Sequence, residues 1–273
     1  MRVIRAKRIE EAVSDLCAKA NFILRKDVAR KLVKAKDEET AKNARKALES
    51  IINNFKVAAK DKIAICQDTG LPIVFVELGQ DVLIRGDFKK AILTGIESGY
   101  RNASLRESVI KNPISRGKSS YKGAVIHTDI VKGSKIKITV LSKGFGCENK
   151  SQIKMFLPTA SLAEIERFII DCVRSAGGDA CPPYFIGVGI GGTADFASLL
   201  SKKALLKDMS KPQSKIERTL LGKINKLNIG PMGLGGKSTC LAVNIITYPT
   251  HIAGLPVAVN ISCHALRSAT KTL

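Results

Sequence analysis

Three cysteines in this chain stand beside glycine or proline turns, a setting in which thiolates can close around an inorganic centre. Cys66 opens the run Cys66-Gln67-Asp68-Thr69-Gly70, Cys181 sits in GGDACPPYFIGVGIGGT, and Cys240 ends GPMGLGGKSTC. A fourth segment, KGFGCENKSQ from Lys143 to Gln152, carries Cys147. Glycines let a backbone fold closely about a bulky cluster and turn its amides toward sulfide. The three cysteines lie 115 and 59 residues apart, which excludes a compact zinc-finger or ferredoxin pattern, so any shared centre has to be assembled by the fold. On spacing alone, each is more readily read as a small buried hydrophobe than as a ligand.

Helices and strands have to position those turns. In the first 60 residues apolar side chains recur at intervals of three and four, at Val13, Leu16, Cys17 and Ala20 and again at Ala44, Leu48, Ile51, Ile52 and Phe55. This predicts about three amphipathic helices, with Asp37 and the acidic run after it capping the last. A strand is expected from Ile73 to Leu78, a helix capped by Asp87 to about Ala103, and a half-buried strand from Ile136. Ser161 and Glu164 form a capping box for a helix that ends at Gly177 and Gly178. PYFIGVGIGGT reads as a buried strand, Thr193 caps the next helix, IERTLLGKINKL is helical, and CLAVNIITYP and PVAVNISC are strands. The glycines of GVGIGGT do not keep dinucleotide-fingerprint spacing, and two of them fall inside the strand. Helices grouped first and then interleaved with strands predict an α+β or mixed α/β fold. Its expected form is one domain over 1–273, with a helical N-terminal layer (1–60) packed on a mixed-sheet core (61–273) that carries the site.

The chain has 273 residues, 45% of them hydrophobic and 25% charged, enough for a substantial core without disulfides. Seven cysteines, an odd number, on a chain whose N-terminus does not read as a signal peptide argue against a disulfide framework. No apolar run approaches the roughly 18 to 20 residues of a membrane-spanning helix, so a soluble, cytoplasmic protein is expected. The net charge of +21 raises nucleic acid as a partner. Against it stand the absence of tryptophan, 5% aromatic residues and no recognisable binding motif. The charge is also diffuse: the first 60 residues carry +8 of it, so there is no discrete basic tail.

CQDTG before an apolar strand, IHTDIVKG, KGFGCENKSQ, ACPPYFIGVGIGGT, GPMGLGGKSTCLAV and YPTHIAGLPVAVNISCHALR together resemble the iron–sulfur class I fumarate hydratases. More narrowly, they resemble the alpha chain of the two-subunit form, whose close relative is the L-tartrate dehydratase alpha chain. The resemblance runs in one order from about residue 8 to the C-terminus. It implies a [4Fe-4S] cluster held by Cys66, Cys181 and Cys240, with one iron left open as a Lewis acid for reversible hydration of fumarate to (S)-malate. Tartrate dehydration is the alternative within the class. A non-catalytic iron–sulfur protein and a basic nucleic-acid-binding protein are the alternatives outside it.

By the same resemblance Gln67, Arg106 and Gly146 contact the dicarboxylate substrate, and Asp68 takes part in proton transfer. Beside those readings stand plainer ones: Arg106 as a solvated helix-end cation and Asp68 as the cap of its own turn. Cys147 replaces a serine usual in the motif and reads as a tolerated substitution. Lys237 and His251 are expected as neighbours of the site. Cys17 and Cys172 read as core, Cys263 as structural, and His127 and His264 as hydrogen-bonded structural residues. The resemblance further implies a separate beta subunit, in a heterotetramer, that completes the active site, so this chain alone is expected to be inactive.

Overall fold

The computed structural model describes residues 1–273. In chain order the elements are β1 (Arg2–Arg5), α1 (Ala6–Phe22), α2 (Lys26–Glu38), α3 (Lys42–Asp61), β2 (Leu71–Gly79), β3 (Val82–Arg85), α4 (Phe88–Asn102), β4 (Val109–Asn112), β5 (Arg116–Ser120), β6 (Val125–Val131) and β7 (Ile136–Lys143). There follow α5 (Phe145–Glu148), β8 (Gln152–Phe156), α6 (Leu162–Ala176), β9 (Tyr184–Gly192), α7 (Ala194–Leu206) and α8 (Lys215–Asn225). After a 3-10 turn at Pro231–Gly233, the chain ends with β10 (Cys240–Thr250), β11 (Leu255–Ser262) and β12 (Ser268–Thr272). This is the mixed α and β architecture expected. No helix is long and apolar enough to cross a membrane.

The chain divides into two compact units. The first comprises Met1–Arg25, Phe55–Phe145 and Arg267–Leu273; the second comprises Lys26–Asn54 and Gly146–Leu266. Residues 1–60 are shared out because α1 buries its apolar face on strands of the first unit, whereas α2 and most of α3 belong to the second.

In the first unit a four-stranded sheet has the order β12-β7-β2-β6, with β2 parallel to β6 and antiparallel to β7. The run Ile73–Val76 is buried throughout because β2 is a central strand. Strand β7 is expected to be half-buried, but seven of its eight residues are buried because α1 covers one face of the sheet. Helix α1 presents Ile9, Ala12, Val13, Leu16, Cys17 and Ala20, and α4 answers with Ala91, Ile92, Ile96 and Tyr100. Each large aliphatic residue so buried is worth about 1.5–3 kcal/mol. Asp87 caps α4 as expected, accepting from the Lys90 amide at 2.9 Å. Strand β1, the β4–β5 hairpin and the terminal strand β12 have no counterpart in the sequence reading.

In the second unit the sheet order is β10-β9-β11-β8. Strands β9 and β10 are parallel, joined through α7 and α8, and β11 runs antiparallel to both β9 and β8. The period-two glycines of β9 explain the packing of α7. Ile186 and Val188 face the core under α6 and α8, while Gly187 and Gly189 share the opposite face. A β-carbon built on Gly187 would lie 2.0 Å from the Ser201 carbonyl oxygen, and one on Gly189 would lie 2.0 Å from that of Ala197. The alternating glycines form the groove in which α7 lies. The Ser161 capping box is present in full; a second one, Ser214 with Glu217, starts α8. Asp37 does not cap α3, because α2 continues through it, and the Glu39 carboxylate accepts from the Thr40 and Ala41 amides instead.

Gly189→Ala is expected to lower the unfolding free energy by about 1–3 kcal/mol or more through overpacking against the backbone of α7. Gly222→Ala, on the open face of α8 where nothing lies within 4 Å, is expected to stabilise by about 0.5–1 kcal/mol. Urea unfolding followed by circular dichroism checks both; equal midpoints for the two variants would contradict the glycine-groove account.

Candidate functional site

In the first unit the turn Cys66–Gly70 leads into β2, and its shape is set from below. The buried Tyr100 hydroxyl donates to the carbonyls of Thr69 at 3.0 Å and Gly70 at 3.2 Å. Burial raises its pKa above the ordinary tyrosine value, so it stays a donor. The Asn21 amide donates to the Ser142 hydroxyl at 3.1 Å, and that hydroxyl lies 3.4 Å from the Tyr100 oxygen. Thr69 Oγ1 accepts from the Arg106 amide at 3.1 Å, which ties the segment bearing Arg106 to the same turn. Cys66 is part-exposed with its thiol 3.4 Å from Gln67 Oε1, and Gln67 and Arg106 are exposed. Asp68 accepts the Gly70 amide on Oδ1 at 3.0 Å and the Phe145 amide on Oδ2 at 2.8 Å. The plain expectation that Asp68 caps its own turn is met, and the carboxylate also reaches the KGFG segment.

In the second unit one end of the sheet gathers cysteine-bearing turns. Strand pairing puts Cys240 opposite Tyr184 and Ser262 opposite Phe185, so the segments carrying Cys181, Cys240 and Cys263 emerge at the same end. Cys181 has a left-handed backbone (φ 56°), and its carbonyl accepts from the His264 amide at 3.3 Å, with His264 Nδ1 3.1 Å from the same oxygen. Cys147 is buried, its thiol 3.4 Å from the Ala180 carbonyl. Gly146 is exposed, with open space where a side chain would be.

Cys240 differs from Cys181 and Cys263. It is 1% exposed within the apolar cluster, its thiol lies 3.2 Å from the Ala242 carbonyl, and burial pushes its pKa up to about 12. Cys181 and Cys263 are part-exposed. Cys17 and Cys172 are core residues as expected, each pushed up to about 12 by burial.

Lys237 and His251 have partners within the second unit. Lys237 donates from its amide to the Glu39 carboxylate at 2.8 Å and from Nζ to the Glu38 carbonyl at 3.1 Å, tying the loop to the end of α2. His251 lies in the exposed turn before β11, at the opposite end of that strand from Cys263, and its Nδ1 accepts from the Ala253 amide at 3.2 Å. Within neither unit do three or more His, Cys, Asp or Glu side chains gather as a metal-binding group. The sequence reading does not anticipate the pairing of the Cys181 and Cys263 segments; its signal is the proximity of Cys263 and His264 in NISCHALR.

The sequence profile of the family described as Fumarate hydratase (Fumerase) matches residues 10–272. The chain belongs to the fumarate hydratase family. A protein of Methanocaldococcus jannaschii named "Putative L(+)-tartrate dehydratase subunit alpha" is 36% identical over 281 residues, covering 97% of this chain and 98% of its own length. The L(+)-tartrate dehydratase subunit alpha of Escherichia coli strain K12 is 28% identical over 272 residues, covering 96% of this chain and 90% of its own. That of strain UTI89 is 29% identical over the same span. For this fumarate hydratase family chain, burial orders the thiols. Alkylation of the chelator-treated protein, read by peptide mass spectrometry, should modify Cys66, Cys181 and Cys263 well before Cys17, Cys147, Cys172 and Cys240; early modification of Cys240 would contradict its buried placement.

Proposed function

We propose that this chain is the alpha subunit of an iron–sulfur hydro-lyase that hydrates fumarate reversibly to (S)-malate in the cytoplasm, together with a separate beta subunit in a heterotetramer. The observation that carries the reading is the Cys66–Gly70 turn: a part-exposed thiol, an amide and a carboxylate in succession, with the Arg106 segment tied to the same turn through Thr69. The family match over nearly the whole chain supports it.

The donor set fits an iron–sulfur group. Cys66, Cys181 and Cys263 are part-exposed thiols beside strand ends, and Gly146 leaves open space at an exposed backbone amide. These three cysteines are the proposed ligands. Cys263 takes the place that the sequence alone assigns to Cys240, whose burial in the apolar cluster supports a core role. Bound there with one iron free of cysteine, a [4Fe-4S] group would supply a Lewis acid for substrate oxygen atoms.

The chain's own residues supply the rest. Arg106 offers a planar fork of donors matched to a carboxylate, and Gln67 an exposed amide. Gly146, by the family resemblance a substrate contact, has an exposed backbone. Asp68 is the proposed proton carrier: each oxygen accepts one backbone amide, which fixes the carboxylate and leaves a lone pair on each. Lys237 and His251 remain proposed neighbours of the site only in the complete assembly.

A second reading, dehydration of L-tartrate, is favoured by the names of the relatives. Anaerobic co-purification with the beta subunit, followed by parallel fumarate, malate and tartrate assays, separates the two. The pair is expected to hydrate fumarate while the single chain does not, and robust turnover by the single chain would overturn the two-subunit reading. Iron content tests the ligands: Cys181→Ser and Cys263→Ser should lose most of the iron, while Cys240→Ser and Cys147→Ser should retain it. Loss from a folded Cys240→Ser variant equal to that from Cys181→Ser would restore Cys240 as a ligand.

A further inference from the structure

Arg267 begins the segment that carries β12 in the first unit, and its carbonyl accepts from the Ser142 amide at 3.0 Å. Its side chain is 2% exposed, as deep as the apolar residues around it. A buried guanidinium retains its charge, and its burial is costly unless neighbouring groups offset it. Nη1 donates to Asn21 Oδ1 at 3.1 Å, a neutral acceptor whose own amide nitrogen is committed to the Cys17 carbonyl and the Ser142 hydroxyl. Nε is buried with no hydrogen-bond partner. Neutral amide contacts leave that charge largely uncompensated.

The Asp68 carboxylate lies nearby, and Gly144 is close to both groups. A β-carbon built on Gly144 would fall 3.1 Å from Asp68 Oδ2 and 3.3 Å from Arg267 Nη2. Both charged groups thus approach Gly144, a position in the KGFG segment without a side chain. The next residue, Phe145, gives its amide to the same Asp68 oxygen.

We infer that Arg267 is the positioning residue for Asp68: a fixed positive charge behind Gly144 that holds the carboxylate against the Gly70 and Phe145 amides. A side chain at Gly144 would press on both groups, so that glycine leaves them room. Arg267 itself is too deeply buried to touch a substrate, so its effect passes through Asp68. The inference rests on the proposed function only for its kinetic readout; the geometric readout does not need that reaction.

Hydrogen exchange on the assembled protein, followed by mass spectrometry, reads the geometry. Arg267→Lys, with its single compact charge, should speed exchange at least tenfold in peptides reporting the Gly70 and Phe145 amides, while the central residues of β2 keep their protection. Gly144→Ala should do the same, and it carries the test where Arg267→Lys does not fold. Unchanged exchange at both amides in a folded variant would overturn the inference, whichever reaction the protein catalyses. In the kinetic arm, Arg267→Lys should lower kcat at least tenfold with KM within about twofold. Its effect should vanish in an Asp68→Asn background, because a residue acting through Asp68 has nothing left to position. Additive losses in the double variant would mark Arg267 as a structural residue and overturn the positioning role.

Discussion

A tyrosine hydroxyl buried in an apolar core must find acceptors there, and Tyr100 finds them in the carbonyls of Thr69 and Gly70. Much of the candidate site in the first unit follows from that requirement. Leaving such a hydroxyl unpaired costs about 1–3 kcal/mol, so the turn entering β2 is held to α4 at the point where its side chains begin to face outward. Asn21, Ser142 and Arg267 extend the polar column beneath it, bringing α1, β7 and the start of β12 into one hydrogen-bonded set. Apolar packing alone would allow those elements to slide by small amounts. The polar column fixes their register, and with it the positions of Cys66 and Asp68.

The second unit solves the equivalent problem with side chains that cap loops. Thr239 Oγ1 accepts from the Ile229 and Gly230 amides, Asn228 Oδ1 from that of Gly236, and Asn225 Oδ1 from that of Cys240. A glycine-rich loop with no regular structure would otherwise leave these donors without partners. Glu39 adds a carboxylate from beyond α2 by accepting the Lys237 amide. A lysine beside a cysteine in a motif suggests electrostatics for a dianion; here its backbone and side chain both serve loop closure.

What the sequence made legible was local: capping boxes, helix faces with regular spacing, and strands long enough to be apolar throughout. Ser161 with Glu164 and Asp87 act where the chain places them because their hydrogen bonds close within three residues. Among the missed strands, β1, β8 and β12 are short and pair with distant partners: Arg2–Arg5 lie beside Val82–Arg85 through a parallel register that no local pattern encodes. The different burial of Cys240 and Cys263 is illegible for the same reason. Cys240 and Cys263 both occur in long motifs at strand ends, and nothing in their spacing tells which thiol is left part-exposed. That depends on α8 and the apolar cluster, which seal Cys240 at the start of β10.

Cys147 shows how a departure from a motif can be absorbed. Serine is the residue expected in the KGFG segment at this position, and its hydroxyl would be both small and a hydrogen-bond donor. The thiol of Cys147 meets both requirements in weaker form, lying 3.4 Å from the Ala180 carbonyl, a distance suited to the longer reach of sulfur. That carbonyl belongs to the residue before Cys181, so the contact helps to set the turn that presents it. Burial of the side chain at 5% exposure removes most of the penalty of exchanging hydroxyl for thiol, since a cysteine behaves as a small hydrophobe in such surroundings. The same burial sets it apart from Cys181 and Cys263, which are part-exposed. In this chain, therefore, the environment of each sulfur, rather than its place in a motif, separates a packed thiol from an accessible one.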